Sequence, residues 1–85
     1  MEKQMTYLKA ILKWGVRNQM LKTIEECSEL QKALAKSILN PNPKNEEQIK
    51  EELADVQIML NQMRIMYPFE EEKKKKLKRL RGLLR

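Results

Sequence analysis

Two acidic clusters carry the side chains of this sequence with the clearest capacity for chemistry. Residues 25–29 read EECSE and residues 51–55 read EELAD. Acidic residues three or four apart lie on one face of a helix, so each cluster predicts a row of carboxylates. If the two helices pack antiparallel, the two rows converge. Converged carboxylates can bind a cation and can accept protons.

A convergent set of carboxylates needs a counter-ion. Two unit charges 4 Å apart repel by about 4 kcal/mol at an effective dielectric constant of about 20. A hard divalent cation such as Mg²⁺ takes oxygen ligands and relieves this repulsion. The chain contains no histidine, so a metal site must be rich in oxygen and a general base must be a carboxylate or a lysine.

A solvated, salt-bridged helix surface is the simpler interpretation of the same residues. Lys22 precedes Glu25 and Glu26 at helical spacing, as expected for surface ion pairs. Two features favour a functional role. Glu52 and Asp55 lie beside apolar positions, where unpaired charge is costly, and Asp55 lies in mid-helix, where aspartate is a poor helix former.

Four helices are predicted from the apolar periodicity and its interruptions. They cover about residues 3–14, about 17–39, 44 or 45 to Pro68, and about 69–84, with Asn45 as the N-cap of the third. The apolar rows are Met5, Leu8, Ile11 and Leu12; Met20, Ile24, Cys27, Leu34 and Ile38; Ile49, Leu53, Val56, Leu60 and Met63; and Leu77, Leu80 and Leu84. We expect an all-α, four-helix bundle-like domain over residues 1–85, with helices two and three central.

Size and composition set further bounds. The chain has 85 residues, and one domain of this size is marginal alone, which favours a homo-oligomer such as a dimer or tetramer. The single cysteine, Cys27, suits a reducing cytoplasm. No signal peptide and no apolar run of roughly 18 residues is present, so we expect no membrane partner.

Charge is unevenly distributed along the chain. Residues 1–68 carry ten Lys/Arg and nine Asp/Glu, whereas residues 69–85 carry eight Lys/Arg and three Glu, a net charge of +5. This basic segment favours an anionic partner. Aromatic residues are not interleaved with the basic ones, so stacking on single-stranded nucleic acid is disfavoured.

The order of the two acidic motifs resembles a known family. E-C-S-E at 26–29, a short Pro-containing loop and E-L-A-D at 52–55 are similar to the E-x-x-E…E-x-x-D signature of the MazG-like all-α nucleoside triphosphate pyrophosphohydrolases. The resemblance covers about residues 7–66. It includes Trp14 and Gln19 ahead of the first motif.

The resemblance implies a specific activity and site. Members bind Mg²⁺, with Mn²⁺ as a possible substitute, and cleave a nucleoside triphosphate between its α- and β-phosphates to a monophosphate and pyrophosphate. The metal ligands would be Glu26, Glu29, Glu52 and Asp55. We assign orientation of the attacking water to Glu25 or Glu29, since spacing does not choose between them.

Four further residues are candidates for substrate binding. Trp14 could stack on a base, although a core or interface anchor is its commoner role, and Gln19 could hydrogen-bond a base edge. Lys76 and Arg79, three residues apart on the basic segment, are expected to contact phosphates.

Two alternative functions remain open from the sequence. Phosphoribosyl-ATP pyrophosphohydrolase would use the same chemistry on another nucleotide. A non-catalytic helical interaction module, with a nucleic-acid-binding basic tail, would be indifferent to Mg²⁺ and sensitive to salt.

Overall fold

The computed structural model describes residues 2–85 as four α-helices with no strand among them. The helices are α1 (Glu2–Trp14), α2 (Val16–Leu39), α3 (Lys44–Met66) and α4 (Glu70–Leu83). The all-α class and the four helices predicted from the sequence are confirmed. In the described part of the chain, no helix has the length and apolar character needed to cross a membrane.

Gly15 sets the angle between α1 and α2. Its φ of 88° and ψ of 155° lie in a region that is essentially restricted to glycine. The Gly15 N–H still donates to the carbonyl of Ile11 at 2.8 Å, and the Gly15 carbonyl accepts from Gln19 at 3.1 Å. One residue therefore ends α1 and starts α2, which brings Trp14 next to the first turn of α2.

The loop between α2 and α3 is held by asparagine side chains. The backbone N–H of Lys44 donates to Oδ1 of Asn42 at 2.9 Å, and Nδ2 of Asn45 donates to the carbonyl of Asn40 at 2.9 Å. The prediction of Asn45 as N-cap is wrong: Pro43 is the N-cap and Asn45 lies buried inside α3. Its side-chain amide hydrogen-bonds the backbone carbonyl at the C-terminal end of α2 and does not cap the start of α3.

The α2–α3 hairpin is the centre of the fold, as predicted. These two helices make the most extensive contact in the chain, and α1 packs against both of them. Near the open end of the hairpin, Nε2 of Gln19 donates to Oε1 of Gln62 at 2.6 Å, and both amides are buried. Asn61 donates to the hydroxyl of Tyr7 at 3.1 Å and so ties α3 to α1.

The apolar core is small. Its buried hydrophobic residues are Ile11, Ala33, Val56 and Met59. The apolar rows predicted on α1, α2 and α4 are mostly exposed: α1 buries Ile11 alone, and α2 meets α3 with a more polar face that includes Gln19 and Ala33. The apolar row of α2 thus does not face α3, which is the largest departure from the sequence-based expectation.

Helix α4 is separate from the other three helices. Within residues 2–85 it makes no packing contact with α1, α2 or α3. A 3.5 Å ion pair between Arg64 and Glu70 links its first turn to the last turn of α3. Acidic residues at its start and Arg81 in its last turn complement the helix dipole. The described chain is therefore a three-helix unit with a projecting basic helix.

Candidate metal and substrate site

Three of the predicted metal ligands lie together between α2 and α3. Glu26, Glu52 and Asp55 each place a carboxylate oxygen within 4.8 Å of the other two. Glu26 follows the buried Gln19 by two turns of α2, and Asp55 precedes the buried Gln62 by two turns of α3. The antiparallel register that pairs the two glutamines therefore also brings the two acidic motifs side by side.

The cluster is electrostatically strained. Partial burial, followed by the negative charges of Asp55, Glu26, Glu29 and Glu51, raises the pKa of Glu52 above its ordinary value. The side chain of Glu26 is only 12% exposed. A carboxylate group in this setting favours either a proton or a cation.

Lys22 supplies the nearest positive charge. Its Nζ lies 3.3 Å from Oε1 of Glu26 and 3.5 Å from Oε1 of Glu25. The hydrogen bond to Glu26, followed by the charge of Glu25, raises the pKa of Lys22. Both pairs match the surface ion pairs expected from the spacing. Lys22 neutralises only the α2 side of the cluster, which leaves Glu52 and Asp55 without an ion-pair partner among residues 2–85.

Glu25 and Glu29 lie at the edge of the cluster rather than in it. Glu29 pairs with Lys32 at 3.5 Å and is about half exposed, although its charge still contributes to the raised pKa of Glu52. Glu25 is more exposed and pairs only with Lys22 among the described residues. The single chain therefore brings together three of the four predicted ligands. The fourth, Glu29, lies one helical turn further along α2.

A cavity of about 420 Å³ adjoins the cluster through Lys22. Its size falls within the usual range of small-molecule sites, about 300–1,000 Å³. Apolar atoms provide most of its surface. It is lined by Trp14, Asn18, Gln19, Lys22, Met59 and Gln62.

The cavity contains both substrate-binding candidates from the first half of the chain. Trp14 is half exposed and forms part of the wall, with Nζ of Lys13 5.3 Å from its ring centre. Gln19 is buried, and its amide is held by Gln62, whose own Nε2 lies 3.8 Å from the sulfur of Met59. Gln19 is therefore not an exposed surface amide.

Lys76 and Arg79 lie elsewhere. Both are exposed on α4, which makes no packing contact with the helices that form the cluster and the cavity. They can reach a ligand in this site only if α4 moves or if another copy of the chain supplies them. Their role stays a prediction.

Sequence reasoning did not single out four residues of the cavity. Asn18 and Lys22 are adjacent to Gln19 on the helix surface, and Met59 and Gln62 continue the Glu52–Asp55 face of α3 at steps of three or four. This helical periodicity was the feature of the sequence from which the four cavity residues could have been identified. For Lys22, the sequence indicates only an ion pair with Glu25 and Glu26.

Comparisons with protein-family models, with curated proteins and with solved structures find no match for this chain.

Proposed function

We propose that this protein is a Mg²⁺-dependent nucleotide pyrophosphohydrolase of the MazG-like type, which cleaves (d)NTPs to a monophosphate and pyrophosphate. One observation carries the proposal. Three carboxylates from two helices converge within 4.8 Å next to a mostly apolar cavity. Such a site can hold a phosphate-bound cation at one end and a base at the other.

The donor set fits Mg²⁺. Glu26, Glu52 and Asp55 offer only oxygen ligands, and their oxygens lie within 4.8 Å of one another. A modest side-chain movement would bring them to the separations of about 2.9 to 4.2 Å between the ligands of an octahedral Mg²⁺. Mn²⁺ would accept the same donors. When bound, the cation neutralises charge on the phosphates and lowers the pKa of a water ligand.

The other residues of the site have distinct expected roles. Lys22 lies between the cavity and the carboxylates, where its ammonium can contact a phosphate oxygen. Trp14 offers a ring face to a base, and the Gln19–Gln62 amide pair offers polar atoms in an otherwise apolar wall. Glu29, close enough to influence Glu52, remains a candidate to orient the attacking water, as does Glu25.

The substrate within this class stays open. A phosphoribosyl-ATP substrate would use the same carboxylates and the same bond cleavage. A panel of nucleotides, including phosphoribosyl-ATP, separates the two by comparing the rates of pyrophosphate release.

One observation favours a second candidate function. Helix α4 projects from the fold, and the segment that contains it has a net charge of +5. A nucleic-acid-binding module would use this helix, its affinity would fall steeply with salt, and Mg²⁺ would not be required. Gel shifts at low and moderate salt measure this directly.

Variants of the cluster test the first proposal. Glu52→Gln and Asp55→Asn should each reduce pyrophosphate release at least a hundredfold, since each removes a metal ligand. Glu51→Gln is the matched control, because Glu51 is adjacent but outside the group of three and makes the smallest of the contributions to the raised pKa of Glu52. Unchanged pyrophosphate release in Glu52→Gln and Asp55→Asn would refute the assignment.

A further inference from the structure

A second cavity, with a different chemical character, lies between α1 and α3. Its volume is about 360 Å³, within the usual range of small-molecule sites, about 300–1,000 Å³. Polar atoms provide most of its surface, in contrast to the mostly apolar cavity beside the acidic cluster. We call it the α1–α3 groove, and its polar and charged lining residues are Lys3, Gln4, Tyr7, Gln57, Asn61 and Arg64.

The α1–α3 groove is separate from the candidate metal and substrate site. At 3.6 residues per turn, Gln57 and Arg64 lie on the opposite side of α3 from Glu52 and Asp55. The groove and the cavity at Trp14 have no lining residue in common. A ligand in the groove would therefore leave the acidic cluster accessible.

A chain of hydrogen bonds orients three of the polar side chains. Nε2 of Gln57 donates to Oδ1 of Asn61 at 3.1 Å, and Nδ2 of Asn61 donates to the hydroxyl of Tyr7 at 3.1 Å. A tyrosine hydroxyl that accepts one hydrogen bond can still donate its own proton. Within residues 2–85, that proton has no acceptor. The chain therefore ends on a hydrogen-bond donor held between two helices and available to a ligand.

The charged residues of the groove are both basic. Lys3 belongs to α1 and Arg64 to α3, and no aspartate or glutamate lines the groove. Arg64 pairs with Glu70 at 3.5 Å, but both side chains are more than half exposed. An exposed pair of this kind is weak, and it occupies only part of a guanidinium group with five N–H donors. The groove therefore offers two positive charges and several neutral hydrogen-bonding groups.

We propose that the α1–α3 groove binds a small phosphate monoester, with the phosphate between Lys3 and Arg64 and a hydroxyl-bearing body against Tyr7 and Asn61. Two basic side chains match the charge of about −1.5 to −2 that a phosphate monoester carries near pH 7. A guanidinium group binds phosphate oxygens through parallel N–H donors, and amides and a hydroxyl suit sugar hydroxyls. This inference does not depend on the proposed hydrolase activity.

The chemistry of the groove disfavours other classes of ligand. A metal cation would meet two positive charges and no carboxylate. An apolar ligand would displace water from the amides and the hydroxyl without replacing its hydrogen bonds. A polyanion such as nucleic acid would find more basic residues on the projecting α4, outside the groove.

Glu70 should compete with the ligand for Arg64. Glu70→Gln removes the only acidic partner of Arg64 within residues 2–85, so it should strengthen binding about two- to fivefold. Glu71→Gln is the matched control, because it makes the same change in net charge on the same turn of α4 while Glu71 pairs with Lys74. This control should change the affinity less than Glu70→Gln does.

The test is a titration of the metal-free, full-length protein with ribose 5-phosphate, followed by NMR of the backbone amides. Chelation of metals prevents a cation in the acidic cluster from recruiting phosphate, and salt at about 0.15 M screens non-specific binding. Saturable shifts should map to Lys3, Tyr7, Asn61 and Arg64. Inorganic phosphate should bind the same residues more weakly, and ribose should produce no saturable shift.

Variants of the groove make the test decisive. Arg64→Gln and Lys3→Gln should each weaken binding about tenfold, and Tyr7→Phe about threefold. Lys9→Gln is the matched control for Lys3→Gln, because Lys9 is exposed on the same helix and does not line the groove. Lys3 is also exposed, so its replacement should leave the fold intact, which circular dichroism verifies for each variant.

Four outcomes would overturn the proposal. They are the absence of saturable shifts, shifts confined to α4, equal losses in Lys3→Gln and Lys9→Gln, and equal effects of Glu70→Gln and Glu71→Gln. Because neither Mg²⁺ nor hydrolysis enters the experiment, its result is separate from that of the proposed function.

Discussion

Glu52 is the residue on which the chemistry of the site is concentrated. Its carboxylate is partly buried and faces the negative charges of Asp55, Glu26 and Glu29, and its pKa is raised. In the proposed metal site, the repulsion that destabilises the metal-free protein would be the source of affinity for a cation. Stability and activity should therefore respond in opposite directions when this charge is removed.

Glu52→Gln should raise the thermal midpoint of the metal-free protein while it abolishes stabilisation by Mg²⁺. The amide removes a charge whose neighbours repel it and keeps the shape of the side chain. Thermal unfolding with and without Mg²⁺ measures both effects. A midpoint that falls in the metal-free variant, while Glu51→Gln behaves as wild type, would contradict the assigned electrostatics.

The pH dependence of stability follows from the raised pKa of Glu52. Its folded pKa lies above the unfolded value near 4.5, so the folded state holds the proton more tightly. The stability contribution of this group is complete below pH 4.5 and is lost as the pH rises through the folded pKa. Denaturant unfolding of metal-free protein across this range should show a loss in the wild type that is absent in Glu52→Gln. Equal pH profiles would contradict the shift.

Trp14 is predicted to act on substrate binding rather than on the chemical step. Stacking of a base on an aromatic ring contributes about 1–3 kcal/mol, so Trp14→Ala should raise KM roughly 5- to 160-fold with a smaller change in kcat. Trp14→Phe keeps a ring and should restore most of the loss. Steady-state kinetics of pyrophosphate release distinguish the two parameters. A loss confined to kcat would place Trp14 in another role.

At the scale of elements, the junction of α1 and α2 positions the cavity wall. Gly15 holds a backbone conformation restricted to glycine, and a Cβ there would meet no atom within 4 Å. Gly15→Ala should therefore destabilise the fold by about 1–3 kcal/mol through backbone strain alone. Gly82→Ala is the matched control, since Gly82 also has open space but lies inside α4 with an ordinary φ.

The glycine pair is compared by denaturant unfolding. Gly82→Ala should be neutral or slightly stabilising, because alanine favours helix over glycine by about 1 kcal/mol. Equal effects of the two substitutions would show that the turn at Gly15 is not needed for the angle between α1 and α2.

The helices themselves followed directly from the sequence, whereas their packing faces did not. Prolines, glycines and apolar periodicity placed all four helices close to their observed bounds. The row from Met20 to Ile38 looked like the core-facing side of α2 because apolar residues are usually buried within a chain. The structure buries Gln19 and Ala33 there instead. Periodicity reveals an apolar face but not which partner covers it.

The metal-ligand candidates of the site could be predicted from the spacing of acidic residues along each helix of the hairpin. Residues 26, 52 and 55 converge because their motifs lie at matching depths of one hairpin. The peripheral position of Glu29 depends on the rotation of α2 relative to α3, which spacing does not specify. The separation of Lys76 and Arg79 from the site arises because α4 does not pack against the other helices, and the amphipathic sequence of α4 gave no sign of this.

At the scale of the whole molecule, folding and association should be coupled. The core of one chain is small and its exposed apolar surface is large, so the homo-oligomer expected from the sequence should supply part of the stability. A hundredfold increase in protein concentration should raise the thermal midpoint by about 5–10 °C. Differential scanning fluorimetry or calorimetry over that range measures the shift. A midpoint independent of concentration would show that the single chain is stable alone.

The most direct test of the proposed function is the identity of the products formed from a nucleoside triphosphate in the presence of Mg²⁺. Phosphorus NMR of the reaction with a nucleotide panel should show monophosphate and pyrophosphate, with neither formed when the metal is chelated or when Glu52 is replaced by Gln. Diphosphate and inorganic phosphate would place the cleavage at the wrong bond. Turnover that persists without the metal, or absence of turnover across the whole panel, would contradict the account.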